Sequence, residues 1–278
     1  MKLGIITDEV SQNLTEVGKF VREFGLSAVE IRSVNNRSPF DYTDADIEEL
    51  LKFREEYGVE ITSIASPLFK CDFYDDKEIA KEEEQFEILC KRANILGATV
   101  IRAFDFLKCD ADNYARAEKM SGAIKKAKKY GIKIGIETEN SANSYDANTL
   151  SEFLSAVGDD TVGAVYDPGN EVFSNGFIDP DGYEKLKPFL LEVHIKDAVL
   201  IDGKPEAVKI GTGLLECIGL IKKLKRDEFS GTMMLETHYR LNASLSAELL
   251  HRPGGDAFSL GAYEASEESM KVLKGMVE

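Results

Sequence analysis

Short apolar runs rich in β-branched residues alternate along the chain with stretches whose apolar positions recur every three to four residues. Eight runs have strand character: LGIIT (3–7), AVEIR (28–32), VEITSIA (59–65), TVIRA (99–103), IKIGIE (132–137), VGAVYD (162–167), LLEVHIK (190–196) and GTMMLE (231–236). A helical pattern follows each of them. The third, from about Lys77 to Leu96, has the clearest period, with Ile79, Phe86, Leu89, Cys90 and Ala93 on one stripe. Strand-then-helix order repeated in this way predicts parallel strands joined by right-handed crossovers, and eight such units in about 250 residues close a barrel. The predicted fold class is α/β, a single (β/α)8 TIM barrel spanning 1–278, with a long loop after its eighth strand. No G-x-G-x-x-G follows the first strand, which argues against an open dinucleotide-binding sheet, and no Pro- or Gly-rich linker divides the chain.

In a barrel, alternate strand residues face the axis or the ring of helices. In LLEVHIK the apolar set Leu191, Val193 and Ile195 suits the helices, which turns Glu192, His194 and Lys196 inward. In IKIGIE the isoleucines face out and Glu137 faces in; the same parity turns Asp167 and Glu236 inward at the ends of the sixth and eighth runs. Glu137, Asp167, His194 and Glu236 thus converge at the carboxyl end of four successive strands, where barrel enzymes carry their chemistry. Three carboxylates and an imidazole crowded together repel unless a cation holds them, so the set is a candidate metal site for one divalent ion. Its oxygen-rich donors favour manganese, then magnesium or cobalt, with zinc also allowed. For Glu137 or Asp167 alone, a helix N-cap is the competing explanation, for Asp167 especially because Pro168 follows.

Fifty acidic against 34 basic residues give a formal charge of −16, which argues against nucleic acid as a partner. The four cysteines show no C-x-x-C spacing, the amino-terminal apolar stretch is too short for a signal peptide, and no window approaches a membrane span; the expectation is a reduced, cytoplasmic protein with no membrane partner. Within this acidic chain Arg32, Arg102 and Lys196 share inward parity, while Lys70 and Arg240 follow the third and eighth strands. Together they form a candidate sink for a carboxylate or phosphate; alternatively they balance Glu30, Asp197 and the metal carboxylates. His238 shares the parity of Glu236 and is a further candidate for substrate contact.

The chain also resembles the xylose isomerase-like barrels known as sugar phosphate isomerases and epimerases. The resemblance covers nearly the whole length and rests on TDEVSQ, VEIR, IASPLFK, IGIE, VYDPGN, VHIKD and MLETHY, one after or on each of seven strands. It implies that Glu137, Asp167, His194 and Glu236 bind one divalent ion and that Glu137 and Glu236 double as proton-transfer groups. Two positions depart from the ketose 3-epimerases of that superfamily: Asn170 stands where they carry histidine three residues after the metal aspartate, and Leu200 where they carry arginine six residues after the metal histidine. The superfamily also contains metal-dependent apurinic endonucleases, but a chain with three histidines and this charge fits them poorly.

The expected partner is a small carbohydrate or hydroxy-acid substrate, bound with Arg32, Lys70, Arg102, Asn170, Lys196, His238 and Arg240 as candidate contacts. Proton abstraction next to its carbonyl leads to an enediolate, from which epimerisation or isomerisation follows; the alternative, if a neighbouring hydroxyl leaves, is a metal-dependent dehydratase of a polyol ketone or dehydroshikimate-like acid. A barrel that binds such a metabolite without turning it over is the non-enzymatic alternative. The stretch 237–264 is too long for an ordinary connection and reads as a lid hinged at Gly254 and Gly255, or equally as a rim loop for packing in a homo-oligomer. The stretch 199–213 reads as a small hairpin turning at Asp202-Gly203.

Overall fold

The computed structural model describes residues 1–241 and 243–278. Its strands are β1 (Lys2–Ile6), β2 (Ala28–Ile31), β3 (Glu60–Leu68), β4 (Val100–Ala103), β5 (Lys133–Glu137), β6 (Val162–Tyr166), β7 (Leu190–Ile195), β8 (Asp197–Ile201), β9 (Lys204–Val208) and β10 (Thr232–Leu235). Eight of them close a barrel in the order β1-β10-β7-β6-β5-β4-β3-β2, every neighbouring pair parallel. The helices are α1 (Leu14–Phe24), α2 (Asp44–Tyr57), α3 (Asp76–Leu96), α4 (Asn113–Lys119), α5 (Ser121–Tyr130), α6 (Ala147–Val157), α7 (Pro168–Asn175), α8 (Gly182–Leu186), α9 (Cys217–Arg226), α10 (Ala247–His251), α11 (Gly255–Ser259) and α12 (Ala262–Val277).

The two periods in the sequence have their physical cause in this arrangement. Outward residues of the strands, among them Ile134, Ile136, Val193, Ile195, Met233 and Leu235, join one apolar core with the inward stripes of the helices, including Phe86, Leu89, Cys90 and Ala93 of α3. The helices begin where side chains accept from free backbone N–H groups: Asn13 for α1, Thr43 with Asp46 in a capping box for α2, and Asp75 for α3. On the barrel axis Ile6, Ala28 and Met234 make a small apolar cluster of their own. Buried polar residues occupy much of the remaining interior, and they build the site.

The eight predicted barrel strands are all present, with ends that coincide or are displaced by no more than three residues. The largest displacement is at β3, which continues to Leu68 because a shift of register between Ala65 and Leu68 keeps it paired with β4. The hairpin expected at 199–213 is β8 paired antiparallel with β9, turning at Asp202 and Gly203, both at positive φ (50° and 76°). Among the described residues no helix is long and apolar enough to cross a membrane.

Candidate metal centre

Glu137 ends β5, Asp167 follows β6, His194 lies on β7 and Glu236 follows β10. All four side chains are buried, and each offers a donor atom that lies within 4.8 Å of the others. His194 Nδ1 stands 2.9 Å from Glu137 Oε1 and 3.7 Å from Glu236 Oε2. Asp167 combines both readings of its sequence context. Its Oδ1 accepts from the Asn170 N–H at 3.2 Å and so caps α7, with Pro168 in the first turn, while Oδ2 faces the cluster. Gly169 is what allows this close seating, because a Cβ there would come within 2.4 Å of the Lys196 carbonyl oxygen.

The basic residues are all engaged with carboxylates. Arg32 contacts Asp8 and Glu9 at 2.9 Å and also pairs with Glu236. Arg102 Nη1 lies 3.0 Å from Glu137 and 4.0 Å from Glu236, and Lys196 Nζ lies 2.8 Å from Asp167 and 2.9 Å from Glu236. Lys70 pairs with Glu139 at 3.2 Å and donates to the His251 carbonyl at 3.1 Å. Arg240 faces Glu9 at 3.5 Å and donates to the Phe258 carbonyl at 2.5 Å. Two acids expected among the balancing partners have other work: Glu30 faces His194, and Asp197 accepts backbone N–H groups beneath the β8–β9 hairpin.

Charge tests whether an ion fits. Asp8, Glu9, Glu30, Glu137, Asp167, Glu192 and Glu236 belong to one connected network of buried contacts, against which stand Arg32, Arg102, Lys196 and Arg240. Acids outnumber cations, and buried charge without compensation is costly. Burial pushes the Asp167 carboxyl up to about 7 against the pull of Lys196, with Glu236 and Glu137 adding to the rise. Burial also raises Glu9, and together with Glu30 it raises Glu192 to about 7. At Glu236 burial is outweighed by Lys196, His238, His194 and Arg32, which hold it well below the usual carboxylate range. Asp167 Oδ2 makes no aligned hydrogen bond even though Lys196 is near. A surplus of buried acid, an unsatisfied carboxylate oxygen and a set of three carboxylates with one imidazole together fit a divalent cation.

A cavity of about 280 Å³ opens beside this cluster, with Asn170, Lys196 and His238 in its wall. Glu139, Ser141 and Phe173 also line it, and α10 closes one side with Ala247, Leu250 and His251. Arg32, Lys70, Arg102 and Arg240 are not in that wall, although Lys70 reaches α10 through the His251 carbonyl. Asn170 is held by donating to the Thr138 carbonyl at 2.8 Å. His238 is buried at positive φ (46°), with Nε2 3.3 Å from Glu9 and 3.5 Å from Glu236; burial and the Lys196 charge hold its pKa well below the ordinary value. Sequence parity misses Asp8 and Glu9, which sit in a short 3-10 turn after β1 and arrive by the path of the loop. Glu30 carried the inward parity of β2, between the core residues Val29 and Ile31, and was readable as an interior acid.

Residues 19–273 match the family model described as xylose isomerase-like TIM barrel. Among solved structures, the IOLI protein with a bound zinc atom superposes with a TM-score of 0.76 at 18% identity, over 100% of this chain and 98% of that one. The probable 3-DHS dehydratase AsbF of Bacillus anthracis gives 0.73 at 18%, over 99% of each chain. An L-ribulose 3-epimerase gives 0.71 at 17%, over 99% of this chain and 95% of its own. At these identities the likeness is one of fold. No curated protein matches the chain.

Proposed function

The chain belongs to the xylose isomerase-like TIM barrel family, and on that premise we propose that it is a divalent-metal-dependent isomerase or epimerase of a small sugar, sugar phosphate or related hydroxy or keto acid. The observation that carries the reading is the buried quartet Glu137, Asp167, His194 and Glu236, with Lys196 in contact with two of its carboxylates and in the wall of a neighbouring cavity of about 280 Å³. That volume is near the lower end of small-molecule pockets, roughly 300 Å³, so the substrate is small. Solved structures of the same fold include an L-ribulose 3-epimerase, a probable 3-DHS dehydratase and a protein with a bound zinc atom.

The quartet would hold the ion, manganese first among the candidates. When bound, the ion supplies Lewis acidity to a carbonyl and its neighbouring hydroxyl, which acidifies the carbon-bound proton beside them. Glu137 and Glu236 stand three strands apart around the barrel, on either side of Arg102 and His194. They are the proton carriers: one takes a proton from carbon and the other returns it, to the same carbon for epimerisation or to its neighbour for isomerisation. Lys196, 2.9 Å from Glu236, keeps that carboxylate ionised and able to accept. Lys196, Asn170 and His238 present polar atoms to substrate oxygens, and α10 excludes water. Arg32, Lys70, Arg102 and Arg240 contribute positive potential from behind the carboxylates they touch.

Loss of water after the same abstraction is a second reading. It is favoured by Asn170, whose amide is committed to Thr138, and by Leu200, exposed on β8, at two positions where ketose 3-epimerases of the superfamily carry histidine and arginine. The test is exchange of solvent deuterium into ketoses, their phosphates and hydroxy acids, read by mass spectrometry on the metal-loaded chain. Exchange is expected to require the ion and to vanish in Glu236→Gln with circular dichroism unchanged. Unimpaired exchange in that variant removes Glu236 from the mechanism; no exchange with any compound that binds makes the barrel a binding protein.

A further inference from the structure

His194 presents its two ring nitrogens to two different groups of acids. Nδ1 faces the quartet, 2.9 Å from Glu137. Nε2 faces the opposite way, 2.8 Å from Glu30 Oε2 and 3.5 Å from Glu192 Oε1. These two acids come from β2 and β7, deeper in the barrel and away from the cavity. Glu192 is already engaged, since its Oε1 accepts from the Ser63 hydroxyl at 3.1 Å. Glu30 is not: it is fully buried, and neither of its oxygens has an aligned hydrogen-bond partner among the described residues. The approach to His194 Nε2 is its short polar contact, and that nitrogen is likewise without an aligned partner.

We propose that Glu30 is a positioning residue for the metal centre: it takes the Nε2 proton of His194 as a hydrogen bond, fixing the tautomer whose free Nδ1 lone pair points to the ion. The inference rests on the metal reading above. A neutral imidazole carries one ring proton, and the lone pair lies on the other nitrogen, so whichever group holds the proton chooses the ligating atom. A carboxylate in that place also makes the ligating nitrogen more basic and stops the ring from turning about its χ2 axis. With an ion at Nδ1, this arrangement gives both ring nitrogens a partner suited to them, and it gives a buried acid outside the cavity wall a role. Glu192, held by Ser63, backs the ring at the longer distance.

The test uses the full chain with Zn²⁺ as the probe, because a diamagnetic ion permits NMR and only three histidines have to be assigned. Zinc affinity is measured by chelator competition for wild type, Glu30→Gln and Glu30→Leu, and the imidazole nitrogens are followed by long-range ¹H–¹⁵N correlation. Glu30→Leu is expected to weaken zinc ten- to hundredfold, the range typical of lost outer partners. Glu30→Gln, which keeps an acceptor without the charge, falls between it and wild type and serves alone if the leucine variant does not fold. In zinc-loaded wild type the His194 proton is expected on Nε2, and its signal broadens or moves to faster solvent exchange in Glu30→Leu. Wild-type affinity in both variants, or a His194 proton on Nδ1, overturns the proposal, as does a second zinc that disappears with Glu30, which would make Glu30 a ligand. If wild type itself binds no divalent ion, the metal reading fails first, and the two failures are thereby told apart.

Discussion

A single carboxylate at position 197 does the work of a small joint. Asp197 Oδ1 accepts the Ala198 and Leu215 N–H groups, each at 3.0 Å, and Oδ2 accepts those of Gly211 and Gly213, each at 2.9 Å. It is fully buried, and in the segment that returns from β9 to the barrel the Gly211, Gly213 and Leu215 N–H groups find their partner in this one side chain, while Thr212 and Leu214 donate to backbone carbonyls. Each buried donor left unpaired costs about 1–3 kcal/mol. Asp197→Ala is therefore expected to destabilise the chain by about 3–5 kcal/mol once water reaches some of the exposed donors. Urea titration checks this; a loss under about 1 kcal/mol would mean that the hairpin is held elsewhere. A comparable role belongs to Glu171, whose two oxygens accept from Ala147 (2.9 Å) and Asp179 (2.7 Å). Burial pushes its carboxyl up to about 7 in spite of these bonds.

Among elements, the connection from β10 to α12 divides into two parts of different character. The part at α11 is bound to the first two loops of the barrel: Gly255 donates to Ser33 Oγ at 3.1 Å, Asp256 to Asn36 at 2.7 Å, and the Ser259 hydroxyl to the Asp8 carbonyl at 2.9 Å. Phe258 is buried between the guanidinium groups of Arg32 and Arg240, 4.7 and 4.9 Å from its ring centre. The part at α10 has no buried residue and forms one wall of the cavity, with Lys70 reaching one of its carbonyls. Amide hydrogen exchange is expected to be fast in Ala247–His251, slow in Gly255–Ser259, and slowed at α10 when a ligand fills the cavity. Equal protection of both parts would argue against independent movement of α10. The barrel strands were legible in the sequence because a strand's parity and a helix's stripe are written locally. The α10–α11 connection was legible only as excess length, since its bonds run to Ser33, Asn36 and Asp8, more than two hundred residues away. Convergence of the quartet followed from parity alone; Asp8 and Glu9 did not, because a loop has no parity to read.

For the molecule as a whole, the formal charge of −16 includes the excess acid inside the barrel, and both favour the binding of a cation. A ligand that binds the folded state alone stabilises it by about 2.7 kcal/mol at one hundred times its Kd, which for a chain of this size amounts to a rise in Tm of roughly 5–10 °C. Manganese added after chelation is expected to give a shift of this order in a thermal scan, with no shift in His194→Ala. An unchanged Tm with manganese, cobalt and magnesium each in excess would count against the ion. Closure of the ring has a consequence for how the protein is made. β1 pairs with β10, from Lys2 opposite Thr232 to Ile5 opposite Leu235, so the barrel's first strand waits for its last. Glu236 emerges one residue after that final seam. Until then the nascent chain has two open sheet edges and three of the quartet's four side chains, so a polypeptide cut short before this point keeps unpaired strand edges that invite aggregation.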